Sequence, residues 1–405
     1  MMRLLILGAL LLAGPAAAQK WATSWVAPGQ VLVPGATGVG RDQTARLMVR
    51  PSVWGTRARL RFSNAFGTAP LTIDGVYAGV QAGGAALVPG SNRPVTFAGK
   101  KTLTVAPGGQ AWSDPVTLPA TGPVAAISFH WTNEITTGDP QTFTTSYLTA
   151  PGAGALGELD DEGAFTVVTG AAPLLDAMDV QVAADIPVVL CLGDSLTAGT
   201  AATPNARDRW PDVMERRLRA TGWTGVVLNA GRNPDLDEGV RLDRDVFSLS
   251  GVTHVIWLHG ADELATTAAI DTVRDRMAVT LKRLRDKLPR AKILLGTLPG
   301  ADAPGRSPLN TQLRTLPVDG FIPFDRADTA SPSSYAGQLA MGQAVDPRLL
   351  APFEPAAAKR AATARPAAPH PAEARPADAR PTDARPADAR PAASRPDGLA
   401  TPAQN

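Results

Sequence analysis

The sequence predicts a β-sandwich or jelly-roll-like region over residues 19–182, followed by an α/β layered domain with a parallel sheet over 183–350. Three observations carry this prediction. Residues 21–182 show period-two or β-branched runs between turn clusters, and no convincing helix pattern. At Pro187 the pattern switches to continuous apolar runs that alternate with helical periodicity. Near Pro355 large apolar residues almost vanish, and Arg or His recurs every five residues.

The first eighteen residues read as a secretory signal. Arg3 is the charged start, Leu4 to Gly14 is an apolar run of eleven, and Pro15 breaks it before Ala16-Ala17-Ala18 and Gln19. The run is too short to span a bilayer and no later run is long enough, so an exported protein, periplasmic or extracellular, is expected. An uncleaved N-terminal anchor is the alternative.

In the first half, Arg57 to Phe62 alternates polar and apolar residues. Leu71 to Tyr77, Pro94 to Ala98 and Val124 to Trp131 are rich in β-branched and aromatic residues, with clusters such as Pro89-Gly90-Ser91-Asn92 between them. His130 sits at a strand end, where a packed histidine is commoner than a catalytic one.

In the second half, Val188 to Leu192 is apolar throughout, as expected of a strand buried on both faces. Further strands are expected at Val226–Leu228, His254–Leu258 and Lys292–Gly296, and a helix from about Arg209 to Arg219. Val273, Met277, Leu281, Leu284 and Leu288 step by three or four, which predicts a helix over Thr272–Leu288. In such a fold a site belongs at the carboxyl ends of the strands. Gly193-Asp194-Ser195-Leu196 lies at one. A serine there has the exposure a nucleophile needs, and its own N–H can face a developing oxyanion; a simple turn is the bland alternative.

Residues 351–405 carry an Arg-Pro-Ala-Asp-Ala type repeat that lacks core-forming side chains and is expected to be a disordered, partly polyproline-II tail. The whole chain balances 39 basic against 37 acidic residues, which argues against general binding to nucleic acid. Residues 356–405 hold eight basic and five acidic residues, so the positive excess belongs to the tail, which has the charge to touch an anionic cell envelope; a solvated spacer is the simpler role. A single cysteine, Cys191, and four histidines exclude a disulfide framework and Cys/His zinc modules. No ligand cluster or Gly-x-Gly-x-x-Gly fingerprint calls for a metal or nucleotide cofactor, so none is expected.

The chain resembles the SGNH/GDSL hydrolases, in the secreted bacterial form with an added N-terminal β domain. The resemblance spans roughly residues 21–347. It rests on Trp21-Ala-Thr-Ser-Trp25, Arg61 to Leu71, Val95 to Gly99 and Ser113 to Val116 in the front half. In the back half it rests on Gly193 to Thr197, Arg209 to Asp212, Leu228-Asn-Ala-Gly231 and Leu242 to Val246. It implies a flavodoxin-like three-layer sandwich that hydrolyses carboxylic esters on small molecules or carbohydrates. By the same resemblance Ser195 is the nucleophile and Asp328 the orienter of a base. The family's histidine position holds Ser331, its oxyanion asparagine position holds Asp262, and an oxyanion glycine falls on Pro234.

These replacements change the chemistry. Ser331 is not a base at neutral pH. An ionised Asp262 would repel a developing oxyanion, and loss of one oxyanion donor alone costs about 10²–10³ in rate. Rescue by His259, which precedes Gly260, or by Asp328 or Asp262 as an unusual base stays open. The expected function is an attenuated exported ester hydrolase. The alternatives are a catalytically silent family member that binds a glycan or acylated ligand in the retained cleft, and a scaffold with a tethering tail.

Overall fold

The computed structural model describes residues 18–33, 35, 37–119, 122–232, 241–265, 270–300, 305–327 and 331–350. The signal reading, but for Ala18, and the tail reading fall outside them, as do Asp328 and Pro234.

Described residues up to Ala183 are strands, turns and connections, without a helix. One antiparallel sheet orders Gln19–Val26, Leu175–Ala183, Ala58–Ser63 and Gln110–Trp112. A larger one centres on Ala125–Trp131, which pairs antiparallel with Gln43–Val49 on one side and Leu71–Gly83 on the other. The two sheets face each other through aromatic rings. Phe62 of the first meets Phe129 of the second edge-on at 5.1 Å and Phe97 at 5.8 Å. Such pairs are worth about 0.5–1.5 kcal/mol each beyond their buried area. The expected strand at Pro94–Ala98 is reduced to Arg93–Pro94 and a bridge at Phe97. Pro94 has no N–H to give a ladder, and Ala98 and Gly99 adopt positive φ in a turn. His130 is packed within its strand, with its ring nitrogens bonded to Asp74 and Asp42 at 2.6 and 2.8 Å.

From Val188 onward strands and helices alternate. Five strands form one sheet in which every pairing is parallel. Across the sheet they run Val226–Gly231, Val188–Gly193, His254–Leu258, Lys292–Gly296 and Gly320–Ile322, which is 2-1-3-4-5 in chain order. Helix Trp210–Ala220 begins with Pro211 in its first turn, where the missing N–H costs nothing. Helix Ile270–Lys287 buries Val273, Met277, Leu281 and Leu284, as the spacing predicts. The first strand has the second on one side and the third on the other, so connections diverge at its carboxyl end and leave a crevice there. That end is Gly193.

A polar seam joins the β region to this domain. Thr23 N–H donates to the Ser250 carbonyl at 3.0 Å, and Ser250 N–H returns to Thr23 Oγ1 at 2.9 Å. Asp179, fully buried, accepts from Thr23, Ser250 and Arg59 at 2.7 Å each. Arg61 pairs with Asp176 at 2.7 Å and reaches Ser248 Oγ at 2.6 Å.

Candidate functional site around Ser195

The sequence bends sharply where the first parallel strand ends. A Cβ at Gly193 would lie 2.2 Å from the Leu258 carbonyl oxygen and 2.3 Å from Thr197 Oγ1, so glycine alone fits. The chain turns directly into the short helix Ser195–Ala198, capped by Asp194. Asp194 accepts the Leu196 N–H at 3.2 Å and, with its other oxygen, the Ala261 N–H at 3.0 Å. Burial pushes its carboxyl up to about 6; His259 pulls it down and Asp262 pushes it further up.

Three side chains fix this turn from below. Asn229, in the second strand, donates to the Thr197 carbonyl at 2.8 Å and accepts from Gly231 N–H at 2.9 Å. Gln338 donates to the Leu196 carbonyl at 3.1 Å and accepts from Trp210 N–H at 2.7 Å, joining three helices. Arg241, buried, donates to the carbonyls of Gly193 and Ala230 at the ends of two strands.

Ser195 itself is partly buried, and its polar hydrogens go to one group. Its hydroxyl donates to Asp262 Oδ1 at 2.5 Å and its N–H to Asp262 Oδ2 at 3.1 Å. Asp262 lies in helix Ala261–Ala265, directly after the third strand. The two loops are therefore cross-stitched: Asp194 holds the N–H that opens one helix, and Asp262 the N–H that opens the other. A carboxylate at this position can take a proton from Ser195. It also occupies the N–H that a conventional acyl transfer would use for its oxyanion.

The other residues singled out in the sequence lie as follows. His259 is buried, with Nε2 3.6 Å from Glu263 Oε2, and its ring stacks on Trp257. The nearby His259 holds the Glu263 carboxyl below its usual range, and Arg276 adds to this at 2.9 Å. Ser331 is exposed, and its carbonyl accepts the N–H and hydroxyl of Ser334, which caps helix Tyr335–Ala344. Asp328 lies outside the described residues. Among these candidates the structure brings Ser195 and Asp262 together, with Asp194 and His259 beside them. The capping role of Asp194 was foreshadowed only by its place before a helix; nothing in the sequence marks Gln338.

Comparison with known proteins follows the same stretch. Residues 191–340 match the family described as "GDSL-like Lipase/Acylhydrolase family". Among solved structures, a member of the lipolytic protein G-D-S-L family from Veillonella parvula is 14% identical, with TM-score 0.31, covering 39% of this chain and 94% of its own. A family two carbohydrate esterase from Clostridium thermocellum, in complex with cellohexaose, is 11% identical, with TM-score 0.34, covering 82% of this chain and 93% of its own. A carbohydrate esterase family 2 enzyme plus carbohydrate-binding domain from Corynascus thermopiles (Myceliophthora fergusii) is 11% identical, with TM-score 0.34, covering 82% and 98%. No curated protein matches the chain significantly. It is residues 191–340 that carry this likeness to the GDSL-like lipase/acylhydrolase family.

Proposed function

We propose that this protein keeps the frame of an ester hydrolase while its hydrolysis is attenuated at the nucleophile. The observation that carries this reading is the double bond pattern of Asp262, which accepts both the hydroxyl and the N–H of Ser195. An oxyanion forming at Ser195 would need that N–H and would meet a carboxylate instead. With Ser331 at the position where the family carries its histidine, the usual proton acceptor is also replaced. The ligand implied by the family is a carboxylic ester of a small molecule or carbohydrate. We also infer a flavodoxin-like three-layer arrangement, supported by the parallel 2-1-3-4-5 order, behind a jelly-roll-like β domain. Export is part of the same reading and rests on the leader Arg3 to Ala18.

A second reading has its own observation. The 2.5 Å bond from Ser195 Oγ to Asp262 is the geometry of a serine whose proton a carboxylate can take. One substrate and two variants separate the readings. If Asp262 blocks the site, p-nitrophenyl acetate hydrolysis is slow, Ser195→Ala changes it little, and Asp262→Asn raises it. If Asp262 is the base, the unaltered protein shows a Ser195-dependent rate that Asp262→Asn abolishes.

A further inference from the structure

A cavity of about 490 Å³ lies between the β region and helix Trp210–Ala220, and Ser195 is not part of its lining. The cavity walls carry a notable number of charges, most of them matched. Glu215 is taken by Arg207, by Arg219 at 3.2 Å and by Ser52 Oγ at 2.6 Å. Asp212 is taken by Arg209 at 2.7 Å. Asp139 accepts the Gln141 N–H at 2.8 Å, and burial pushes its carboxyl up to about 6.

Arg50 breaks the pattern. It follows strand Gln43–Val49 and lines the same cavity, yet among the described residues its side chain makes no hydrogen bond or ion pair. Its Nε is buried without an acceptor. Burial lowers its pKa and the neighbouring cation Arg207 lowers it further, with no carboxylate acting the other way. A half-buried guanidinium whose Nε lacks an acceptor is partly desolvated, which costs the fold something. It is also preorganised to bind an anion with two parallel N–H donors.

The remaining lining narrows the ligand. Gln30 and Gln141 offer side-chain amides, and threonine hydroxyls join them in the lining. Trp25 and Phe143 add aromatic surface. Amides and hydroxyls suit a polyol, and an aromatic face suits the C–H face of a sugar ring. The cavity volume falls within the roughly 300–1,000 Å³ of small-molecule sites. We propose that this cavity binds a sugar bearing one anionic group, a carboxylate or a phosphate, which seats on Arg50.

The test is calorimetric titration of the full chain with glucuronate, glucose 6-phosphate and glucose, beside Arg50→Gln and Arg50→Lys. At least one anionic sugar is expected to bind about 10-fold or more tightly than glucose. Arg50→Gln is expected to lose that preference, a drop of about 10- to 100-fold for a charge-assisted contact, and Arg50→Lys to keep part of it. The two anionic arms tell carboxylate from phosphate. Because Arg50 has no side-chain partner among the described residues, Arg50→Gln is expected to melt at or above the temperature of the unaltered protein. Equal binding of all three sugars, or none at millimolar concentration, overturns the proposal. So does a lowered melting temperature in Arg50→Gln, which would make Arg50 a structural cation.

Discussion

The crevice at Ser195 and the cavity at Arg50 have opposite electrostatic designs. At Ser195 the fold closes on itself: Asp262 meets both the hydroxyl and the N–H that a reaction would use. At Arg50 no described residue matches the guanidinium, while Glu215 and Asp212 of the same cavity are paired. Ser195 is held through both its hydroxyl and its N–H, whereas Arg50 keeps donors that no described residue takes. The attenuation and the anion binding proposed above therefore rest on two different groups.

The largest expected effect tests the first half of that contrast. Asp262→Asn removes the competing carboxylate and supplies a donor, worth about 10²–10³ in rate. Ser331→His supplies a base, worth about 10²–10⁴ once positioned. The double change is expected to exceed either single change in p-nitrophenyl acetate hydrolysis, because proton transfer and oxyanion stabilisation are separate parts of the barrier. A double variant no faster than the unaltered protein would show that the crevice lacks more than these two groups.

The next effect concerns the seam that joins the β region to the α/β domain. Asp179→Ala strands Arg59 and the hydroxyls of Thr23 and Ser250. Breaking a buried pair on one side costs about 3–5 kcal/mol, and the partial exposure of Arg59 places this one at the lower end. Urea denaturation measures it. A cost near zero would mean that the seam does not hold the two parts together.

The comparison also shows what a sequence can and cannot disclose. The strand at His254–Leu258 and the helix over Ile270–Lys287 were legible because apolar spacing encodes burial directly. Strand Gly320–Ile322 was not, since three residues at a sheet edge carry too little pattern. Ser195 was visible because glycine and a strand end frame it. The partnership of Ser195 with Asp262 links positions 67 residues apart, and no local periodicity encodes it. Arg50 was illegible for the same reason in reverse: its significance is a missing partner, which only the three-dimensional neighbourhood reveals.

A smaller effect appears in pH. Burial holds Asp139 and Asp194 up to about 6 in the fold, against an ordinary value near 3.9 when unfolded. Asp176 is raised by burial in the same direction. Between about pH 4 and 6 the folded chain therefore keeps protons that the unfolded chain releases. Their contribution is greatest below the unfolded value and is lost as pH rises through about 6. Carboxyls held low, such as Glu263, oppose this only as pH falls below their ordinary range. The melting temperature is expected to decline from about pH 4.5 to 6.5, and Asp139→Asn is expected to flatten that decline. A melting temperature that rises across this window would place charged, stabilised carboxylates at these positions instead.

The smallest expected effect asks whether the closed half of the contrast is closed in motion as well as in geometry. Cys191 lies three residues before Asp194, in strand Val188–Gly193 of the parallel sheet, paired in register with Asn229 on one side and Ile256 on the other. It has no exposed surface, and burial pushes its thiol well above the usual range. Only a thiolate reacts quickly with iodoacetamide, so both access and ionisation must be gained by opening the strand. The native protein is expected to resist labelling over hours, with rapid labelling once urea unfolds it. Labelling of the native protein at a rate independent of global stability would reveal a local opening at the strand that carries Ser195. That opening would also separate Ser195 from Asp262 part of the time, and the attenuation proposed from their bonds would then be a matter of population rather than of a fixed contact.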